Sequence, residues 1–123
     1  MTTENARTSP SRPTQEAFPP LPICWSALTQ TEYDQQLQAL GDWVDWLHAR
    51  YQLDHRVVPP CWAQHGELLE ELSALRTAWL TAYAITARGD APLDWHSQFA
   101  GARQRLTDWV ARTGCREREH RGS

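Results

Sequence analysis

A chain of 123 residues can hold one hydrophobic core and leaves no room for a second ordinary domain. Its 15 acids outweigh 12 bases for a net charge of −3, which excludes generic attraction to phosphate backbones as a dominant property. No uninterrupted apolar run approaches the ~18 residues of a membrane-spanning helix, and the nearest, residues 78–87, is broken by Thr81 and Thr86; no membrane partner is expected.

Residues 1–24 form the first segment. Up to Pro22 they are rich in Thr, Ser and Pro, and after Met1 the only sizeable apolar side chains are Phe18 and Leu21. Such a stretch buries too little surface to offset its ordering entropy, so the composition predicts a disordered arm. It lacks the basic start and apolar centre of a signal peptide. Three cysteines, an odd number without an export signal, argue for reduced thiols or metal ligands and a cytoplasmic location.

The first helix is read from Tyr33, Leu37, Leu40, Val44, Leu47 and Tyr51, which recur at spacings of four and three and share one stripe. Thr29 and Glu32 have the spacing of a capping box and mark its start. Gly41, inside the pattern, is expected to permit close packing. An end near Leu53 follows from the extended Val57-Val58-Pro59-Pro60 connection.

A second helix begins after Pro60, with Trp62, His65, Leu69, Leu72, Leu75, Trp79, Ala82 and Tyr83 on one face. Gly89 is its expected left-handed stop. The third opens at Asp90-Ala-Pro92 and carries Trp95, Phe99, Ala102, Leu106, Trp109 and Thr113 to a stop at Gly114. A short link makes helices two and three antiparallel neighbours. The expected fold is therefore an all-α, small three-helix bundle over residues 25–115, followed by a charged tail, 116–123.

The chemistry-bearing residues are two Cys/His couples, Cys61-Trp-Ala-Gln-His65 and Cys115-Arg-Glu-Arg-Glu-His120. At 1.5 Å per residue, helices two and three span about 35 and 30 Å. Cys115 thus returns to the level of Cys61 and His65, and the end of helix one is expected at the same place. Two thiolates and two imidazoles make a tetrahedral zinc set, although the tight Cys-x2-Cys knuckle is missing. The alternatives are inert packing of both couples, or a redox role for Cys61 with a thiol acidified by a helix N-terminus.

Seven tryptophans invite an aromatic surface. Trp62, Trp79, Trp95 and Trp109 follow the helical stripes, which leaves Trp25 with Trp43 or Trp46 as an exposed patch for a protein partner. All basic residues are Arg, as a GC-rich genome produces. Residues 101–123 carry a surplus of three positive charges, and Arg103, Arg105, Arg112, Arg116 and Arg118 form the alternative, nucleic-acid-binding surface. Catalytic signals are lacking: His65-Gly-Glu67 has no Pro-Cys-x-x-Cys after it, and there is no phosphate loop or nucleophile elbow. No catalytic residue is expected.

Gly41-Asp-Trp-Val-Asp-Trp-Leu47, Cys61-Trp-Ala-Gln-His65, Glu70-Glu-Leu-Ser-Ala-Leu75 with Trp79, then Trp95 and Gly114-Cys-x4-His120 resemble an actinobacterial family, a domain of unknown function encoded near plasmid, phage and other mobile-element genes. The resemblance covers the last two thirds of the chain. Arg112-Thr113 departs from the Pro-Phe pair of that pattern. The resemblance implies a bacterial host and no activity. Taken together, the expectation is a small non-catalytic interaction or accessory protein of a mobile element, with a zinc-pinned bundle; the alternative is a nucleic-acid-binding accessory factor.

Overall fold

The computed structural model describes residues 20–114. Of the disordered arm expected over residues 1–24, residues 1–19 lie outside the described residues, as does the tail with Cys115, Arg116, Arg118 and His120, whereas residues 20–24 are described and lie against Arg76, Thr77 and Leu80. What is described is an all-α bundle of three helices, α1 Gln30–Tyr51, α2 Gly66–Ala82 and α3 Ala91–Thr113, with 3-10 turns at Trp25–Ala27 and Trp62–Gln64. Among the described residues there is no strand, and no helix is long and apolar enough to cross a membrane.

The capping box forms as its spacing predicts. Glu32 N–H donates to Thr29 Oγ1 at 3.1 Å, and Thr29 N–H donates to Glu32 Oε1 at 2.9 Å, satisfying two backbone donors that a helix start leaves open. At the other end Gln52 turns left-handed, φ 52°, and Leu53 N–H reaches back to His48 carbonyl at 3.0 Å. Leu40, Trp43, Val44 and Leu47 are buried along α1.

Helix α2 starts later and stops sooner than its pattern suggests. Pro59 and Pro60 keep the entering chain out of the helical region, and Trp62–Gln64 make only a single 3-10 turn. His65 is extended, φ −121° and ψ 116°, so the helix proper begins at Gly66. It ends at Tyr83, φ −107°, where β-branched Thr81, Ile85 and Thr86 offer little helical propensity. Gly89 is not left-handed, since Gly114, φ 75°, is the described glycine with positive φ. The expected Gly89 cap is therefore corrected, and residues 83–90 make the link.

The link is longer than expected, yet α2 and α3 pack antiparallel. Arg105 Nη2 donates to Glu71 Oε2 at 2.8 Å near one end, and Trp95 Nε1–H donates to the Leu75 carbonyl at 3.2 Å nearer the other. Helix α2 is central. Leu68, Leu69, Leu72, Leu75, Trp79 and Leu80 are buried around much of its circumference, as a helix covered on more than one side requires. On α3 the buried stripe is Trp95, Phe99, Ala102, Leu106 and Val110, with Trp109 packed at its edge.

Helix α1 crosses this pair and brings its last turn to the start of α3. Tyr51 meets Phe99 edge-on at 4.9 Å and lies 6.0 Å from Trp95, and Trp46 lies 5.1 Å from Trp79 near the end of α2. The end of α1 therefore does not arrive beside the start of α2. Aromatic packing at the opposite end outweighs the up-down order that a short connection would impose, and residues 52–65 bridge the distance.

Candidate functional site

Three regions of the bundle collect chemistry or exposed apolar surface. The first is the foot, where α2 begins. Cys61 and His65 are both buried there, His65 completely. They flank the 3-10 turn, with Gln64 N–H donating to the Cys61 carbonyl at 2.9 Å and Leu69 N–H to the His65 carbonyl at 3.0 Å. The expectation that both would lie in one α-helix, four residues apart on one face, is corrected: the helix starts after them.

The end of α3 reaches this foot. Glu71 lies five residues past Gly66 and Arg105 five before Val110, so their contact at 2.8 Å brings Gly66 and Val110 to one level in an antiparallel pair. Among the described residues no group of three or more His, Cys, Asp or Glu side chains is placed to hold a metal. The other two expected zinc ligands, Cys115 and His120, lie outside the described residues.

The second region is a cleft of about 660 Å³ between the last turns of α1 and the following connection. Val44, Leu53, Val58 and Pro59 give it a buried apolar floor, and Asp45, His48, Asp54 and His55 line its mouth. Asp54 is committed locally: its Oδ1 accepts Arg56 N–H at 2.8 Å.

The third region is the corner where α2 hands over to α3. A cleft of about 670 Å³ is lined by Pro20, Thr81, Ala84, Ala87, Ala91 and Asp94 among others. Leu21, Ile85 and Leu93 are the exposed large apolar residues, at 72%, 97% and 70%. Each is an immediate or near neighbour in sequence of residues lining that cleft. Sequence reasoning missed this surface. A signal was present in Leu93, which precedes Trp95 by two residues and so projects about 200° away from the buried stripe.

The expected tryptophan patch is corrected. Trp25 is 5% exposed and Trp43 0%. Trp25 Nε1–H donates to Ser73 Oγ at 2.9 Å, and its ring meets Tyr33 edge-on at 5.2 Å. Trp46 is half-buried against Trp43 and Trp79. These indoles fill the junction of α1 with α2, because large flat rings lose most water contact there.

Of the arginines expected to meet nucleic acid, Arg103, Arg105 and Arg112 are described and exposed. Arg103 lies over the Phe99 ring at 5.7 Å. Arg105 is held by Glu71, whose hydrogen bond and charge raise the guanidinium pKa further above its ordinary value. Both side chains thus make contacts within the bundle. Comparison of the chain with protein-family models, curated proteins and solved structures finds no match in any of the three.

Proposed function

We propose that this chain is a small non-catalytic interaction protein that docks a protein partner on the α2–α3 corner. One observation carries the reading: Leu21, Ile85 and Leu93, the large apolar side chains exposed among the described residues, each stand next in sequence to a residue that lines the corner cleft, Pro20, Ala84 and Asp94. Single exposed apolar residues are ordinary, whereas a gathered set is a mark of an interaction surface. The cleft rim carries Asp90 and Asp94 against Arg88, and Arg88 already pairs with Asp90 at 3.2 Å. The fitting partner presents an apolar face with a basic edge. The mobile-element setting comes from the resemblance of the Cys61-Trp-Ala-Gln-His65 segment and its companions.

A zinc ion held by Cys61, His65, Cys115 and His120 is part of this proposal. Its support is the burial of the first two side chains and the level at which α3 ends. Two soft and two borderline donors suit zinc. The bound ion would supply a cross-link between the start of α2 and the chain beyond α3, and so add folding free energy to a small domain.

The test of the partner surface is capture by wild-type chain compared with an Ile85→Asp/Leu93→Asp variant of unchanged helicity and melting temperature. The variant should weaken capture at least about tenfold, or roughly 1.4 kcal/mol; equal capture rejects the corner as the docking surface. Elemental analysis of wild type and Cys61→Ser tests the metal separately. One zinc per chain in wild type and much less in the variant is expected, and metal-free wild type ends that part of the proposal.

A further inference from the structure

After α1 the chain doubles back along it, and the cleft of about 660 Å³ lies between the helix and the returning segment. Val44, Asp45, His48 and Ala49 share one face of α1 and form one wall. Both ends of the cleft are closed. At the end of α1 the chain turns at Asp54, whose carbonyl accepts Val57 N–H at 3.0 Å and Val58 N–H at 3.1 Å. At the other end the Trp62 ring comes over Gly41, where an added methyl would stand 4.0 Å from its Cζ2. From Gly41 to Tyr51 the helix rises about 15 Å, which sets the length of the slot. A running polypeptide needs a groove open at both ends, whereas a slot shut at both ends suits a compact small molecule.

The groups facing the slot decide the charge of that molecule. The floor is Val44, Leu53, Val58 and Pro59, all buried. The lining carries two carboxylates, Asp45 and Asp54, and no arginine. Asp54 is already engaged: its Oδ1 accepts Arg56 N–H at 2.8 Å, and its Oδ2 lies 3.7 Å from the Arg56 guanidinium. Asp45 is exposed at the mouth, and the half-buried indole of Trp62 borders the same space. A carboxylate above an apolar floor, with an aromatic ring beside it, complements a cation that has an apolar body. Among the described residues no group of three or more His, Cys, Asp or Glu is placed to hold a metal ion, and the floor offers a bare ion nothing.

We propose that the slot between α1 and residues 53–62 binds a small organic ammonium ion. Its hydrocarbon body rests on Val44, Leu53, Val58 and Pro59, and its N–H groups meet the Asp45 carboxylate. The ring nitrogens of His48 and His55 add hydrogen-bonding capacity at the mouth. Neither Cys61 nor His65 lines the slot, and the α2–α3 corner is elsewhere. The site therefore goes beyond the partner-binding reading and does not depend on it.

The test is a titration of the full, isotopically labelled chain with phenethylammonium, followed by amide chemical shifts, with uncharged 2-phenylethanol as the comparison probe. The ammonium should give saturable shifts centred on residues 44–62, with a Kd on the order of a millimolar. It should bind at least about tenfold more tightly than the alcohol. Asp45→Asn, an exposed change, should bring the two probes within about threefold of each other. Ala49→Phe, which enters the slot from the exposed side of α1, should abolish the shifts from both probes while helicity and melting temperature hold. The absence of saturable shifts in wild type overturns the proposal. So does an ammonium preference that survives Asp45→Asn, binding that survives Ala49→Phe, or shifts centred on the α2–α3 corner.

Discussion

Trp25 and Ser73, 48 residues apart in the chain, are joined by a 2.9 Å hydrogen bond from the indole Nε1–H to the serine hydroxyl oxygen, and both are buried. This contact ties the segment before α1 to the middle of the central helix. Replacing the acceptor leaves a buried indole donor without its partner, which costs about 1–3 kcal/mol. Ser73→Ala should therefore lower urea-unfolding stability by that amount, minus a few tenths regained from helix propensity. Trp25→Phe combined with Ser73→Ala should cost less than the sum of the two, with a coupling of about 1 kcal/mol. Strict additivity would mean that the bond contributes nothing.

Two positions on α1 carry backbone residues that its geometry does not require. Gly41 lies mid-helix, and a methyl added there would meet Trp62 only at 4.0 Å, an ordinary contact. The close approach expected of this glycine is absent, so Gly41→Ala should stabilise the protein by roughly 0.5–1 kcal/mol. Gln52 occupies the left-handed position that glycine favours. Gln52→Gly removes strain of about 1–2 kcal/mol and returns part of it as unfolded-chain entropy, for a net gain of about 0.5 kcal/mol. Thermal melting of each variant and of the pair checks both signs, and additivity is expected across this distance along the helix.

The legible parts of this fold are those specified within one helix. Thr29 with Glu32, the Tyr33-to-Tyr51 stripe, Pro92 and Gly114 each act through neighbours a turn away, and the helices they define are present. The boundaries of α2 were illegible, because His65 and Tyr83 leave the helix for reasons that lie in the surrounding packing. Trp25 belongs to no helical stripe, so periodicity is silent about its burial. Its partner, Ser73, sits on a face of α2 that looks polar until residues 20–28 cover it. Arg76, 4% exposed on that same face, was hidden from sequence reading for the same reason. The crossing of α1 depends on Tyr51 meeting Phe99, a contact between distant residues with no local signature. At the foot, the Cys61 and His65 couple was legible as a motif, and its burial is a property of the packed bundle.

Trp79 is the hub of the aromatic packing between α1 and α2, with Trp43 at 6.0 Å, Trp46 at 5.1 Å and Tyr83 at 5.4 Å between ring centroids. It is 1% exposed. Trp79→Ala should cost about 3–5 kcal/mol through lost burial and the cavity left behind. That is a large share of the stability typical of a small domain, so the variant should melt at a markedly lower temperature or fail to fold. Trp79→Phe keeps an aromatic ring and should retain a cooperative transition with a smaller loss. Equal losses for the two would remove Trp79 from the centre of this cluster.

Tyr51 gives the bundle an alkaline limit. Burial against Trp95 and Phe99 raises its hydroxyl pKa above 10, the nearby Tyr83 adds to the rise, and Arg50 opposes it. The folded protein therefore holds this proton more tightly than the unfolded chain does. Below the unfolded value, about 10, the resulting stabilisation is fully present; as pH climbs from there through the folded value, the unfolded state sheds its proton first and stability falls. Melting temperature measured from neutral pH to about pH 11 should decline above about pH 10. Tyr51→Phe should flatten part of that decline, because the ring contacts with Trp95 and Phe99 survive while the titrating group is gone. It also removes the 3.3 Å contact between the Tyr51 hydroxyl and His96 Nε2, an exposed pairing whose loss shifts the whole curve little. An unchanged alkaline slope in the variant would remove Tyr51 as the cause of the decline.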